Sequence, residues 1–93
     1  MAVYIGTKEY KYGKMIMWHM VANTLEELHE MASSCGIVKR HFQDGKRPHY
    51  DVCKESKQFA ISKGAILVND RNIIELWRVL SSLKPWIEHG VGF

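Results

Sequence analysis

The chain has 93 residues and a mass of 10.8 kDa, which leaves room for one compact domain with one small core. Hydrophobic residues make up 46% of the chain and charged residues 25%. This composition excludes an intrinsically disordered protein, because disordered chains are poor in apolar residues. The formal net charge of +3 permits an anionic partner without requiring one, and no apolar run approaches the roughly 20 residues of a membrane span.

The first half of the chain predicts a strand, a hairpin and a helix. Residues 3–5 are β-branched and aromatic and stop at a glycine, which is typical of a short strand. Residues 10–20 alternate around a glycine, which indicates extended or hairpin-like structure. Thr24 and Glu27 form a capping box, and apolar residues follow at helical spacing. We therefore expect a helix near 24–35.

The middle of the chain predicts a further strand, a loop and a second helix. Residues 37–42 resume a strand pattern, and residues 43–48 are rich in turn-forming types. Asp51 is then the expected N-cap of a helix over 51–63, because a carboxylate there can accept hydrogen bonds from the first helical N–H groups.

The last part predicts a strand and a third helix. Residues 65–68 form a continuous apolar run, which favours a strand covered on both faces. A helix over 70–83 follows, capped by Asn69 or Asp70. We expect one α/β domain over 1–93 with a tail from about residue 85. We expect a small, mainly parallel sheet of three to four strands, packed with about three helices. This arrangement is that of a Rossmann-like fold or of a two-layer sandwich.

Short motifs in order along the chain carry a resemblance to a known family. They are Met17-Trp18-His19-Met20, Glu27-Leu28-His29, Phe42-Gln43, His49-Tyr50-Asp51 and Gly64-Ala65. Over roughly residues 2–75 the chain resembles the small bacterial and phage family called domain of unknown function 4031. The resemblance implies bacterial or phage origin and no particular activity. We expect a cytoplasmic protein because the sequence shows neither a run of membrane-span length nor a basic N-terminal segment followed by an apolar signal core. Members of the family carry Tyr-Val-Asp where this chain has Tyr4-Ile5-Gly6, so glycine replaces an acidic residue.

The candidate ligand site lies around the expected start of the second helix. A helix N-terminus attracts phosphate and carboxylate groups, because its free N–H groups and its dipole point the same way. Loops that follow strand ends also collect at the edge where α/β folds bind ligands. The expected ligand-binding residues are His19, Gln43, Lys46, Arg47, His49, Tyr50 and Asp51.

The histidines and cysteines show no pattern of a prebuilt metal site. His19, His29, His41 and His49 are ten, twelve and eight residues apart, without the i, i+4 spacing of helical ligand pairs. Asp51 is better explained as a cap, and the two cysteines as free buried thiols. We therefore expect structural or surface histidines, no bound metal and no cofactor.

These features favour binding of an anionic nucleotide or phosphate ligand, or of a protein partner, without turnover. A His-assisted, metal-dependent hydrolase or nuclease that uses His19, His49 and Asp51 is an alternative. Gly6 offers only backbone at the end of the first strand, which argues against a carboxylate-based metal hydrolase. The third alternative is a phage interaction module. It would bind single-stranded nucleic acid through residues 10–14 or a protein through the apolar residues of 86–93.

Overall fold

A five-stranded sheet lies at the centre of the computed structural model, which describes residues 2–44, 48–69 and 71–78. Its strands are β1 (Val3–Gly6), β2 (Tyr10–Tyr12), β3 (Met15–Ala22), β4 (Tyr50–Val52) and β5 (Ile66–Val68). The strand β3 pairs antiparallel with β1, β2 and β4, and β5 pairs parallel with β1. The α/β class is thus confirmed, but the expectation of a mainly parallel sheet is wrong.

Short connections explain the antiparallel pairing. Only Gly13 and Lys14 separate β2 from β3, so these strands form the predicted hairpin, whereas parallel neighbours need a crossover of a dozen or more residues. The expected strand at 37–42 is wrong, because this segment contains a single 3-10 turn, Lys39–His41. The strand β4 takes its place in the sheet and lies where the sequence pattern predicted the start of a helix.

Helices α1 (Leu25–Ser34) and α2 (Lys54–Ser62) end where the sequence predicts. Gly36 and Gly64 follow them with φ of +80° and +108°, a region that side chains with a Cβ rarely adopt. At both ends an amide one residue further on donates to a carbonyl of the last turn, which satisfies backbone groups that the helix leaves unpaired. Residues 71–78 form part of the third predicted helix, α3, and residues 70 and 79–83 of that prediction lie outside the described residues. Asn69, one of the two predicted caps, accepts from the backbone N–H of Asn72.

The start of α2 corrects the prediction for Asp51. The N-cap of this helix is Cys53, which makes no side-chain capping hydrogen bond, and Asp51 lies two residues earlier within β4. The burial pattern of β4 alternates, with Tyr50 and Val52 buried and Asp51 half-buried. Asp51 is therefore a strand residue whose carboxylate is available for contacts across the sheet.

The two faces of the sheet are covered by different helices. The larger core includes Ile5 and Met20 and packs under α1 and α2. The smaller core lies on the opposite face, where Val21 packs with Ile73 and Trp77 of α3. The domain thus has three layers, which excludes the two-layer alternative. Its mostly antiparallel sheet excludes the Rossmann-like alternative.

The structure also tests the expectations for β5, the two cysteines and the membrane-span search. The strand β5 forms within the predicted run, but Ile66 is 48% and Leu67 is 47% exposed, so coverage on both faces is wrong. Cys35 and Cys53 are free, as expected, but half-buried. Among the described helices, none has the length and apolar character needed to cross a membrane. The expected tail from residue 85 lies outside the described residues.

Candidate functional site

The centre of the site is a contact between neighbouring strands. His19 of β3 lies directly opposite Asp51 of β4, so their side chains leave the sheet on the same face. His19 Nδ1 is 2.8 Å from Asp51 Oδ1. This is the face of the smaller core, because His19 alternates along β3 with the buried Met20 of the opposite face.

A second histidine reaches the same carboxylate oxygen. His49 precedes β4 and lies on the side of Asp51, because residues two apart along an extended chain share a face. A bridge between Gln43 and His49 holds this segment, with hydrogen bonds of 2.9 and 3.2 Å between their backbones. His49 Nε2 lies 3.2 Å from Asp51 Oδ1, and Gln43 Nε2 donates to Asp51 Oδ2 at 2.6 Å. We call His19, His49 and Asp51 the histidine–aspartate cluster.

The carboxyl group of Asp51 is ionised. Burial opposes its ionisation, but hydrogen bonds from His19, His49 and Gln43 outweigh burial and hold the pKa of Asp51 well below its usual value. An ionised carboxylate has no proton to give, so both ring nitrogens donate to it in this arrangement. The cluster therefore combines one fixed negative charge with two imidazoles.

Aromatic rings enclose the cluster. Trp77 of α3 lies against both imidazoles, with ring centroids 5.2 Å from His19 and 5.5 Å from His49. The ring of Tyr10 lies 4.1 Å from that of His19. The indole N–H of Trp77 donates to the backbone carbonyl of Pro48 at 3.1 Å, which fixes α3 beside the cluster. His49 is only 9% exposed as a result.

The predicted site residues divide into three groups. Four of them meet, because His19, His49 and Asp51 form the cluster and Gln43 orients its carboxylate. Tyr50 is separated from them, since it is 1% exposed on the other face, where its hydroxyl lies 2.7 Å from Nδ1 of His29. Tyr50 and His29 therefore form a separate pair on the face of the larger core. The remaining two predicted residues, Lys46 and Arg47, lie outside the described residues.

The cluster has the dimensions of a metal site. Its two imidazole nitrogens and carboxylate oxygen all lie within 4.8 Å of one another. Ligand atoms about 2.0–2.2 Å from a tetrahedral zinc ion are about 3.3 Å apart, and the contacts of 2.8 and 3.2 Å are close to that spacing. The expectation that the histidines are scattered is wrong for His19 and His49, because it took Asp51 for a helix cap.

Sequence reasoning missed the two aromatic neighbours of the cluster. The helical periodicity around Trp77 indicates burial without indicating a neighbour. Tyr10 falls in the segment 10–14, whose aromatic residues indicate base stacking but no contact with a histidine. Their positions depend on strand register and on the face that α3 covers, and neither has a local sequence signal.

The fold and the site together define a small three-layer α/β domain with a histidine–aspartate cluster on one face of a mixed sheet. The chain belongs to the family described as protein of unknown function (DUF4031), whose model matches residues 3–80. No curated protein and no solved structure matches the chain. The activity must therefore be argued from the cluster itself.

Proposed function

We propose that the cluster binds one divalent transition-metal ion, and that this ion in turn holds an anionic, phosphate-bearing ligand. The observation that carries the proposal is the convergence of two imidazole nitrogens on one oxygen of Asp51. Imidazole with a carboxylate suits zinc and its neighbours, whereas magnesium and calcium prefer oxygen ligands alone. We therefore expect selectivity for ions of the zinc class.

The ion also accounts for how an acidic site can take an anion. The ionised Asp51 would repel a phosphate that approached it directly, because like charges in a half-buried site are poorly screened. An ion with two positive charges reverses that repulsion and leaves coordination positions beyond the three protein ligands. Phosphate oxygens can fill those positions, so the expected anionic ligand and the cluster are compatible.

Surrounding residues support the ligand geometry. Gln43 holds the second oxygen of Asp51, and such outer contacts orient a carboxylate toward a metal. Trp77 restricts access from the side of α3 and confines both imidazoles. The ion would bind the lone pairs of His19 Nδ1 and His49 Nε2, so each imidazole would then carry its hydrogen on its other ring nitrogen.

Titration of the purified protein with Co²⁺ tests the proposal, because the visible absorption of this ion reports its ligand set. We expect one bound ion and little response to Mg²⁺. His49→Ala removes an imidazole ligand and Asp51→Asn removes the charge of the carboxylate, so each should weaken binding by about tenfold to a hundredfold. Glu30→Gln is the matched control, because Glu30 is exposed on α1, on the opposite side of the sheet from the cluster.

The anionic ligand is tested with the same proteins. A nucleoside monophosphate should raise the thermal midpoint of the metal-loaded protein and have no effect on the metal-free protein. Equal stabilisation with and without the ion would show that the anion binds elsewhere. Unchanged Co²⁺ binding in Asp51→Asn would refute the metal site itself.

A further inference from the structure

The hairpin of β2 and β3 presents aromatic and apolar side chains beside the cluster. Tyr10 lies opposite Met17 and Tyr12 lies opposite Met15, so each pair shares a face. Met15, Met17 and His19 are two residues apart along β3 and share one face, so this face is continuous with the cluster. We call Tyr10, Tyr12, Met15 and Met17 the hairpin face. Tyr12 is 65% and Met15 is 52% exposed, so a ligand can reach the outer half of this face.

A groove connects part of the hairpin face with Asp51 of the cluster. Its volume is about 330 Å³, and its lining includes Met15 and Met17 of β3 together with Asp51. The 3-10 turn contributes Arg40 and His41 to the same lining. The groove thus joins an apolar floor, a guanidinium group and the carboxylate of the proposed metal site.

Cationic residues lie along the hairpin. Lys8 precedes β2 and Lys14 lies in the turn, whereas Lys11 pairs with Ile16 on the reverse of the hairpin face; the one acidic residue in this segment is Glu9. The Nζ atom of Lys8 is 5.4 Å from the ring centroid of Tyr10. Exposed aromatic rings with cations around them favour a polyanion whose units carry flat apolar groups.

We infer that the hairpin face and the groove bind single-stranded nucleic acid, with a phosphodiester group at the metal ion; this step rests on the proposed function. Unpaired bases can stack on Tyr12 and pack against Met15, whereas the bases of a duplex are already stacked on each other. Arg40 then contacts the backbone in the groove that ends at Asp51. The anionic ligand of the site is accordingly a nucleotide chain.

Fluorescence anisotropy with labelled oligonucleotides of about ten nucleotides tests this inference. Single-stranded DNA and RNA are compared with the matched duplex, and a single strand should bind more tightly. Tyr12→Ala should weaken single-strand binding about tenfold, because it removes one stacked base. Phe59→Ala, which removes another exposed ring on α2, is the matched control and should leave binding unchanged.

The salt dependence of binding tests the charged part of the surface. Arg40→Gln should lower the slope of log affinity against log salt by about 1, since one phosphate contact is lost. Lys63→Gln removes an equal charge at the far end of α2 and should leave the slope unchanged. Equal affinity for single strand and duplex would overturn the inference. Equal effects of Tyr12→Ala and Phe59→Ala, or of Arg40→Gln and Lys63→Gln, would also overturn it.

Asp51→Asn separates a failure of this inference from a failure of the proposed function. With this variant we expect the metal-dependent part of oligonucleotide binding to disappear, while the metal-free part retains its dependence on Tyr12. A wild-type protein that binds Co²⁺ but shows no preference for single strands would overturn the nucleic-acid inference alone. Single-strand binding that depends on Tyr12 but never on metal would instead overturn the proposed metal site.

Discussion

Asp51 shows how a shift of two residues changes the chemistry of a side chain. As an N-cap it would direct its oxygens to backbone N–H groups of α2, a contact typically worth about 1 kcal/mol. Because it lies in β4, the same oxygens meet His19, His49 and Gln43. An aspartate before a helical pattern is the usual signal of a cap, and a strand of three residues is too short to show alternation. The sequence therefore supplies the residue of the site but not its role.

Gly6 lies where one more ligand can be added to the cluster. Ile5 pairs with Met20, so the next position of β1 faces His19 in the neighbouring strand. A Cβ atom at Gly6 would lie 3.1 Å from Cγ1 of Ile73, which requires Ile73 to move by a few tenths of an ångström. Gly6→Asp should tighten Co²⁺ binding by roughly tenfold, because added carboxylate charge increases the affinity of a metal site.

Gly6→Asn is the matched control for that substitution. Asparagine has nearly the same size as aspartate and crowds Ile73 equally, but it adds no negative charge. Both variants should lose similar stability in urea, and only Gly6→Asp should gain affinity for the ion. An equal change of affinity in the two variants would show that position 6 acts through packing rather than as a ligand.

His29 should give the protein a stability that depends on pH. Burial lowers the pKa of His29 below 6.5, and Lys39 lowers it further against an opposing effect of Asp44. Burial also raises the pKa of Tyr50, so a neutral phenol and a neutral imidazole share this hydrogen bond. The unfolded chain therefore takes up a proton on His29 more readily than the folded protein does. The contribution of His29 to the free energy of unfolding is complete above pH 6.5 and is lost as the pH falls through the pKa of His29 in the folded protein.

Thermal midpoints of the wild type and His29→Asn across this range measure the effect. Asparagine keeps a hydrogen-bonding amide near the position of Nδ1 but does not titrate, so the thermal midpoint of His29→Asn should fall less between about pH 7 and pH 5. The difference between the two curves isolates His29 from the other histidines. Parallel curves over the whole range would contradict the assigned role of burial.

At the level of elements, local signals predict the helices better than the sheet. The capping box of Thr24 and Glu27 forms as expected, with Glu27 N–H donating to Thr24 Oγ1 at 3.1 Å. The glycines that end α1 and α2 also have their expected conformations. The pairing of strands depends on contacts between distant segments, which periodicity does not report. Hence the helices were predicted almost correctly, while the parallel sheet and the strand at 37–42 were wrong.

The missing cap of α2 offers a stabilising substitution. Cys53 has the extended backbone of an N-cap, with φ of −80° and ψ of 179°, but its thiol makes no capping hydrogen bond. Cys53→Ser should stabilise the protein by about 0.5–1 kcal/mol, because a hydroxyl oxygen accepts from the first helical N–H groups far better than sulfur does. Urea unfolding measures the gain.

Cys35→Ser is the control for Cys53→Ser. Cys35 is also half-buried, but it lies at the C-terminal end of α1, where a hydroxyl has no orphan N–H group to accept from. This variant should be neutral or slightly destabilised. A gain of the same size in both variants would mean that removal of a thiol, and not helix capping, is responsible.

On the scale of the whole molecule, helices cover the two faces of the sheet to different extents within the part of the chain that the structure describes. The larger core buries residues such as Leu28 under α1 and α2, whereas the described part of the smaller core consists of Val21, Ile73 and Trp77 with partly buried neighbours. The cluster lies on the face with the smaller core. We therefore expect the layer that encloses the cluster to open locally before the domain unfolds.

Leu28→Ala and Trp77→Ala separate these two layers. Leu28 is fully buried in the larger core, so its truncation should cost about 2–5 kcal/mol globally and leave metal affinity of the folded protein unchanged. Trp77 is 6% exposed, donates to the carbonyl of Pro48 and lies against both imidazoles. Trp77→Ala should release α3 and weaken Co²⁺ binding, because the two imidazoles lose the wall that confines them.

Hydrogen exchange followed residue by residue distinguishes local opening from global unfolding. In Trp77→Ala the amides of 71–78 should exchange much faster, while those of α1 change little, because their protection derives from the larger core. Trp77→Phe keeps an apolar ring but leaves the Pro48 carbonyl without this donor, so an intermediate cost of about 1–3 kcal/mol is expected. If α1 and 71–78 lost protection equally in Trp77→Ala, the domain would have a single cooperative core, and the cluster would be as rigid as the rest of the sheet.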